Sequence, residues 1–285
     1  MQAEAYFTHA VKQLLPLYPE AEAEELMYWV YEDKLLIKKA HLRLFNKEIG
    51  LVEEITLNHI LERLIAGEPI QYILGYAYFM DLVLSVNKDV LIPRPETEEL
   101  VIWVSEMANE HQAEALSLLD ICTGSGCIAL ALKKRFSKAT ISALDVSEVA
   151  LNTAKKNAKD IGLQIEFIQS SVLDDAGKDL LSKQSASIWV CNPPYITEEE
   201  KTEMHENVLA HEPHLALFVS NEDPLLFYRK TIEAFENAAT AKALFFEISA
   251  YQKPALSALC SNRNLAIEFR KDLQGKDRML RLVKK

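Results

Sequence analysis

The sequence predicts an α/β fold: a mostly parallel sheet with helices on both faces, preceded by a small helical bundle and joined to it by a β-hairpin. Three observations carry this. Apolar residues repeat at helical spacing through residues 1–75, short apolar runs alternate with amphipathic stretches from about Pro93 onward, and a short aromatic and β-branched segment lies between. Strands that alternate with helices are joined by crossovers, and crossovers make parallel sheets that are buried on both faces.

In the first region, Phe7, Val11 and Leu14 repeat at i, i+4, i+7, and Leu26, Trp29 and Val30 form a second stripe. Leu57, Ile60, Leu61 and Leu64 make a third, ending at Gly67, which suits a C-terminal cap. Trp29 is expected in the core. The connector is YAYFMDLVLSVNKDVLI, residues 76–92, read as two paired strands. The second domain, 93–285, opens with a helix over Thr97–Asn109. Strands follow at LSLLDI (116–121), ISALD (141–145), IEFI (165–168), SIWVC (187–191) and ALFFEI (243–248), then near 266–270 and 278–283, with helices between, one near 224–237. The stretch TEEEKTEMHE, 197–206, reads as a solvated loop or helix.

A chain of 285 residues suits about two domains, and 49% hydrophobic residues supply a sizeable core. The net charge of −11 argues against a protein that grips nucleic acid through its overall field, so no direct nucleic-acid partner is expected. No run of 18 apolar residues occurs, so no membrane span is expected. The segment MQAEAYFTHAVKQLL lacks the layout of a signal peptide. Cys122, Cys127, Cys191 and Cys260 form no C-x-x-C pair and are expected as free, buried thiols in a reducing, cytoplasmic compartment. His211–His214, HEPH, carries no metal site: Pro213 breaks the helix that H-E-x-x-H requires, and the spacing is wrong.

Two stretches carry chemistry, and both fall at strand carboxyl ends, where such sheets bind ligands. DICTGSGCIAL, Asp120–Leu130, follows a strand and opens a helix. Gly124 and Gly126 permit a tight turn and close approach of a ligand, and Gly124-x-Gly126-x-x-Ala129 fits the dinucleotide fingerprint of a Rossmann-like sheet. Asp145, at the end of the next strand, stands where a ribose-binding acid is expected. Alone, this loop leaves a nicotinamide dehydrogenase open. The second stretch is VCNPPYI, Val190–Ile196. An amide or aryl-amine nitrogen is a poor nucleophile because its lone pair is delocalised. The side-chain oxygen of Asn192 and the backbone oxygen of Pro193 can hold its two hydrogens and favour a pyramidal nitrogen. Tyr195 can stack on the planar group, and Pro193 and Pro194 stiffen the turn. A hydride-transfer enzyme has no evident use for this clamp; a methyltransferase using S-adenosyl-L-methionine has.

These stretches sit among others that carry a resemblance. GEPIQYILGYAYFMDLVLSVNKDVLIPRPETEELV (Gly67–Val101), HEPHLAL (211–217), FEIS (246–249) with Gln252, and DLQGKDR (272–278) resemble the release factor glutamine methyltransferases over nearly the whole chain. The resemblance implies a class I methyltransferase sheet of seven strands, the last antiparallel, and a helical substrate-binding domain at 1–75. It implies methylation of the glutamine of the Gly-Gly-Gln motif in class 1 peptide chain release factors, with S-adenosyl-L-homocysteine as the other product. It assigns Asp120, Cys122, Thr123, Gly124, Ser125 and Gly126 to the cofactor's methionine and ribose part, and Asp145 to the ribose hydroxyls. Asn192 would face both cofactor and substrate, and with Pro193, Pro194 and Tyr195 would hold the glutamine amide. Arg94 to Glu98, with Arg94 and Glu96 as substrate contacts, either line the entry or lock the two domains together.

Two departures bear on the site. Cys122 stands where the family's loop usually begins with glycine, so an ordinary backbone angle and a packed thiol are expected there. Ser171 and Val172 stand where members commonly carry an acid and often an aromatic residue. Val172 is then expected against the adenine, burying less area than a ring, with Asp174 as candidate for the missing acid. The clamp itself does not separate glutamine from adenine, since both offer a planar NH2 group. A ribosomal-protein glutamine methyltransferase and an adenine-N6 enzyme therefore stay open, the latter disfavoured by the acidic balance, and an NAD-dependent dehydrogenase is the rival from a different class.

Overall fold

The computed structural model describes residues 1–42, 47–110, 116–204 and 206–285. They form two compact units, Met1–Tyr76 with His205–His211, and Ala77–Met204 with Glu212–Lys285. His205, at the end of the acidic stretch, lies outside the described residues.

The first unit contains α1 (Ala3–Leu14), α2 (Glu20–Leu35), α3 (Leu51–Ile65) and the short α4 (Ile70–Leu74). The stripes on α1 and α3 are buried as their spacing requires. On α2 the buried face is Ala23, Met27, Val30, Tyr31 and Leu35, whereas Leu26 and Trp29 pack at its edge. Trp29 is thus half-buried, and its indole donates to the Tyr76 hydroxyl at 2.7 Å. Gly67 ends α3 as expected. At φ 77° its N–H donates to Leu64 O and the following Glu68 N–H to Arg63 O, so two terminal carbonyls are satisfied by one left-handed residue.

The second unit opens with the hairpin β1 (Tyr76–Phe79) and β2 (Leu82–Ser85), then α5 (Pro95–Glu110). Strands and helices then alternate: β3 (Ser117–Ile121), α6 (Cys127–Arg135), β4 (Thr140–Asp145), α7 (Glu148–Ile161), β5 (Glu166–Gln169), α8 (Asp175–Ser182) and β6 (Ile188–Cys191). A two-residue β7 (Ile196–Thr197) pairs with β8 (Phe218–Val219). Between these come α9 (Glu206–His211), which belongs to the first unit, and α10 (His214–Leu217). The chain ends with α11 (Leu226–Asn237), β9 (Ala243–Glu247), α12 (Lys253–Cys260), β10 (Leu265–Lys271) and β11 (Asp277–Lys284).

Seven strands form one sheet in the order β10-β11-β9-β6-β3-β4-β5, parallel except that β11 runs antiparallel to both neighbours. Every residue of β6 and β9 is buried, as two-sided covering demands. One face packs Trp103, Val104, Ile128 and Phe79, the other Trp189, Phe235, Tyr228 and Leu256. DLQGKDR forms the turn between β10 and β11, closed by Asp272 N–H to Lys276 O at 2.9 Å. Among the described residues no helix is long and apolar enough to cross a membrane. All four cysteines are free, but only Cys191 and Cys260 are fully buried; Cys122 and Cys127 are partly buried, which departs from the expectation of four buried thiols.

Candidate active site

The strand order reverses between β3 and β6, and at such a switch point the loops leaving adjacent strands part and open a crevice. A cavity of about 380 Å³ lies there, within the roughly 300–1,000 Å³ range of small-molecule sites. Its wall combines the loop after β3 (Cys122 to Ser125), Asp145 at the end of β4, Ser170 to Leu173 after β5, and Asn192 and Pro194 after β6.

The glycine loop is pinned from below. Thr123 N–H donates to Leu144 O at 3.0 Å, and Gly126 N–H to Thr123 O at 2.8 Å. Gly124 has φ 54°, and a Cβ there would meet nothing within 4 Å, so its open side faces space rather than packing. Gly126 lies outside the cavity wall. A Cβ there would stand 3.1 Å from Ala154 Cβ and 3.3 Å from Leu130 Cδ1, so this glycine serves the close approach of α6 and α7. Asn157 on α7, a residue the sequence reading missed, secures the loop further. Its amide NH2 donates to Ser125 O at 2.9 Å and Ser85 O at 3.0 Å, while its oxygen accepts from Ser85 N at 2.7 Å.

Cys122 corrects an expectation. Its φ is 61°, in the left-handed region that a glycine occupies without strain, rather than the ordinary angle expected. Its thiol packs beside that of Cys191 and against the core layer of Trp189. Asp120 also lies outside the wall. It is 1% exposed, and its Oδ2 accepts from Thr123 Oγ1 at 2.6 Å and Ala129 N at 3.2 Å, while Oδ1 has no partner among the described residues. Burial pushes this carboxyl up to about 7. Asp120 braces the loop from behind.

Asp145 stands in the wall. Its Oδ2 accepts from Gly124 N and its Oδ1 from Ser147 N, both at 2.9 Å. A carboxylate has about four acceptor positions, so these two bonds do not exhaust its capacity to accept. Burial raises its pKa against the pull of these backbone donors. Val172 is buried in the wall, but Asp174 is not part of it: its carboxylate caps α8, accepting from Gly177 N at 2.7 Å. Asp174 therefore does not replace the missing acid. Gly177 is itself constrained, since a Cβ there would fall 1.6 Å from Ser171 O.

At the other end of the cavity, Asn192 directs its amide NH2 away from the open space. Nδ2 donates to Glu247 Oε2 at 3.1 Å and to Thr97 Oγ1 at 3.3 Å. A carboxylate only accepts, so this network fixes which end of the amide is nitrogen and leaves Oδ1 for the cavity. Pro194 lines the wall, whereas Pro193 is buried outside it. Tyr195 also lies outside the wall, contrary to a stacking role: its ring packs on the core and its hydroxyl donates to Glu247 Oε1 at 3.0 Å. Burial, then the neighbouring Glu247 carboxylate, raise its pKa well above that of a free tyrosine. Of the entry residues, Arg94 lines the cavity and pairs with the buried Glu212, which also accepts from Ile92 N. Glu96 is half-buried and absent from the wall; Thr97, one residue on, takes the place there. Thr97 falls within the entry stretch Arg94 to Glu98, whereas Glu247 was missed as a site residue, although a lone acid closing the apolar run ALFFE at the sheet's functional edge is a readable signal.

Residues 102–217 match the Methyltransferase small domain and residues 5–75 the PrmC N-terminal domain. The hMettl16 catalytic domain, crystallised with a MAT2A 3′UTR hairpin, aligns at a TM-score of 0.53 with 14% identity over 71% of this chain and 74% of that one, a likeness of fold alone. Strand order, the cavity at the switch point and the matched domain define the class: a methyltransferase with a Rossmann-like sheet of seven strands. Relatives narrow it. The release factor glutamine methyltransferase of Flavobacterium psychrophilum is 40% identical over 99% of each chain. That of Bacteroides thetaiotaomicron is 41% identical over 94% of this chain and 95% of its own, and that of Bacillus subtilis 34% identical over 98% and 94%. The chain belongs to the release factor glutamine methyltransferase family.

Proposed function

We propose that this protein methylates the side-chain amide nitrogen of the glutamine in the Gly-Gly-Gln motif of class 1 peptide chain release factors. S-adenosylmethionine, when bound, supplies an electrophilic methyl group on a sulfonium. Asp145 and the Cys122–Ser125 loop would hold the nucleoside end, with Val172 beside the base. Asn192 Oδ1 and the Pro193 carbonyl accept the two N–H hydrogens of the glutamine amide and aim its lone pair at the methyl. Held in this way, the nitrogen lone pair would be free for the methyl group the cofactor supplies, and the nitrogen, acidic once alkylated, would need no strong base to lose its proton.

The observation that carries this reading is the orientation of Asn192: both its donors are taken by Thr97 and Glu247, so an acceptor faces the cavity. The first unit is the part that engages the release factor. Its α3 exposes Leu51, Val52 and Ile55 together, an apolar face suited to a protein partner. Family membership sets aside the dehydrogenase, and the chain's acidity disfavours a nucleic-acid substrate. The test is transfer of labelled methyl to an unmodified class 1 release factor, beside one whose Gly-Gly-Gln glutamine is alanine. Label on the first alone is expected; label on both, or on neither with S-adenosylhomocysteine binding intact, refutes the assignment.

A further inference from the structure

Glu247 is the last residue of β9 and 1% exposed, a carboxylate buried directly beneath the clamp. Its Oε2 accepts from Thr97 Oγ1 at 2.6 Å and from Asn192 Nδ2 at 3.1 Å, and its Oε1 from the Tyr195 hydroxyl at 3.0 Å. Its backbone carbonyl accepts from the Tyr228 hydroxyl at 3.1 Å, which fixes the end of the strand. Asn192 is thus tied, with Thr97 and Tyr195, to one buried carboxylate that does not line the cavity.

We propose, resting on the clamp reading above, that Glu247 is a positioning residue for methyl transfer, acting through Asn192. Two physical effects follow from the geometry. An amide can rotate and exchange its ends at small steric cost, and only the end facing the substrate decides whether it accepts or donates. The carboxylate removes that freedom, because the flipped amide would set oxygen against oxygen and leave a buried anion short of a donor. The second effect is polarisation. In the chain Glu247 carboxylate, Asn192 N–H, Asn192 C=O, each hydrogen bond strengthens the next, so Oδ1 becomes a stronger acceptor. Positive charge arrives at the substrate nitrogen during transfer, one hydrogen bond from Oδ1, and the buried anion at the far end of the same amide favours that arrival.

The role requires the ionised carboxylate, since a protonated Glu247 becomes a donor and displaces one of its three partners. Arg278 faces it from β11 and favours ionisation; Glu96 faces it from α5 and opposes it. Tyr195, Tyr228 on α11 and Cys127 on α6 also face it and are held neutral, burial raising the pKa of each. Burial raises that of Glu247 itself, so an acid limb is expected above the usual carboxylate range.

The experiment compares Glu247→Gln with the unaltered full chain, using S-adenosylmethionine and an unmodified release factor. Expected are a kcat lowered on the order of 10²-fold, KM for the release factor and Kd for S-adenosylhomocysteine within about threefold, and loss of the acid limb from the kcat–pH profile. Placed on Asn192→Ala, Glu247→Gln should add less than about threefold, because a residue acting through Asn192 has little left to act on. If Glu247→Gln fails to fold, Thr97→Val removes one of the same hydrogen bonds and should lower kcat about tenfold with the same split. A kcat within threefold of the unaltered protein, a retained acid limb, or full additivity with Asn192→Ala overturns the assignment. Failure of the unaltered protein to label the release factor overturns instead the function on which it rests.

Discussion

Replacing Asp145 by Asn tests the nucleoside end of the cavity with a change of one atom. In the structure each carboxylate oxygen already accepts one backbone N–H at 2.9 Å, from Gly124 and Ser147. The two remaining acceptor positions are the ones assigned to ribose hydroxyls. A hydrogen bond to a charged group contributes about 1.5–3 kcal/mol net, against about 1 for a neutral one. The asparagine keeps one neutral acceptor and turns its NH2 toward either a backbone N–H or a hydroxyl. The expected loss in binding is therefore about 2–4 kcal/mol, or roughly 10²-fold in Kd for S-adenosylhomocysteine. The same NH2 opposes one of the two backbone N–H groups, so stability in the absence of ligand should also fall, by about 1–3 kcal/mol. Titration calorimetry gives the first quantity and urea unfolding the second. An Asn variant that binds within threefold of the original protein would remove Asp145 from the site.

Three further outcomes are expected. Burial lifts Asp120 from 3.8 to about 7, so the folded state holds a proton that the unfolded state releases. Stability should then fall as pH rises between these values, by up to about 4 kcal/mol from this group, and Asp120→Asn should flatten the fall; urea midpoints from pH 5 to 8 that rise for the original protein and stay unchanged in the variant would contradict this. Cys122→Gly relieves about 1–2 kcal/mol of left-handed strain but loses about 1 kcal/mol in chain entropy and some thiol packing, so it should stay within about 1 kcal/mol, whereas Cys122→Val should cost more because a β-branched residue is a poor occupant of φ 61°; equal urea midpoints would refute the argument. Gly177→Ala drives a methyl into Ser171 O and should displace the Ser170–Leu173 wall, lowering stability by several kcal/mol and S-adenosylhomocysteine affinity with it; an unchanged melting temperature and Kd would show that the wall yields freely.

The sheet was readable because its strands are buried on both faces and so appear as apolar runs. SIWVC and ALFFEI announce β6 and β9 within a residue at either end. Asp145 and Asn192 were readable because loop chemistry concentrates at strand carboxyl ends. What stayed hidden depends on direction. Tyr195 lies beside Asn192 in sequence, yet its hydroxyl turns back to Glu247, and no spacing rule distinguishes an aromatic that meets a ligand from one that meets the carboxylate behind it. Glu96 and Thr97 show the same problem on a helix, where one step of about 100° takes a side chain out of the cavity wall. Cys122 shows another: a left-handed turn geometry is kept although the residue that would suit it best is absent.

The most direct measurement is the single-turnover rate of Asn192→Ala, with S-adenosylmethionine and release factor both saturating. The account predicts a rate lower on the order of 10²–10³-fold, with S-adenosylhomocysteine affinity and melting temperature close to those of the original protein. A rate within threefold of the original would mean that the glutamine nitrogen is held by other groups, and the clamp would lose its place in the reaction.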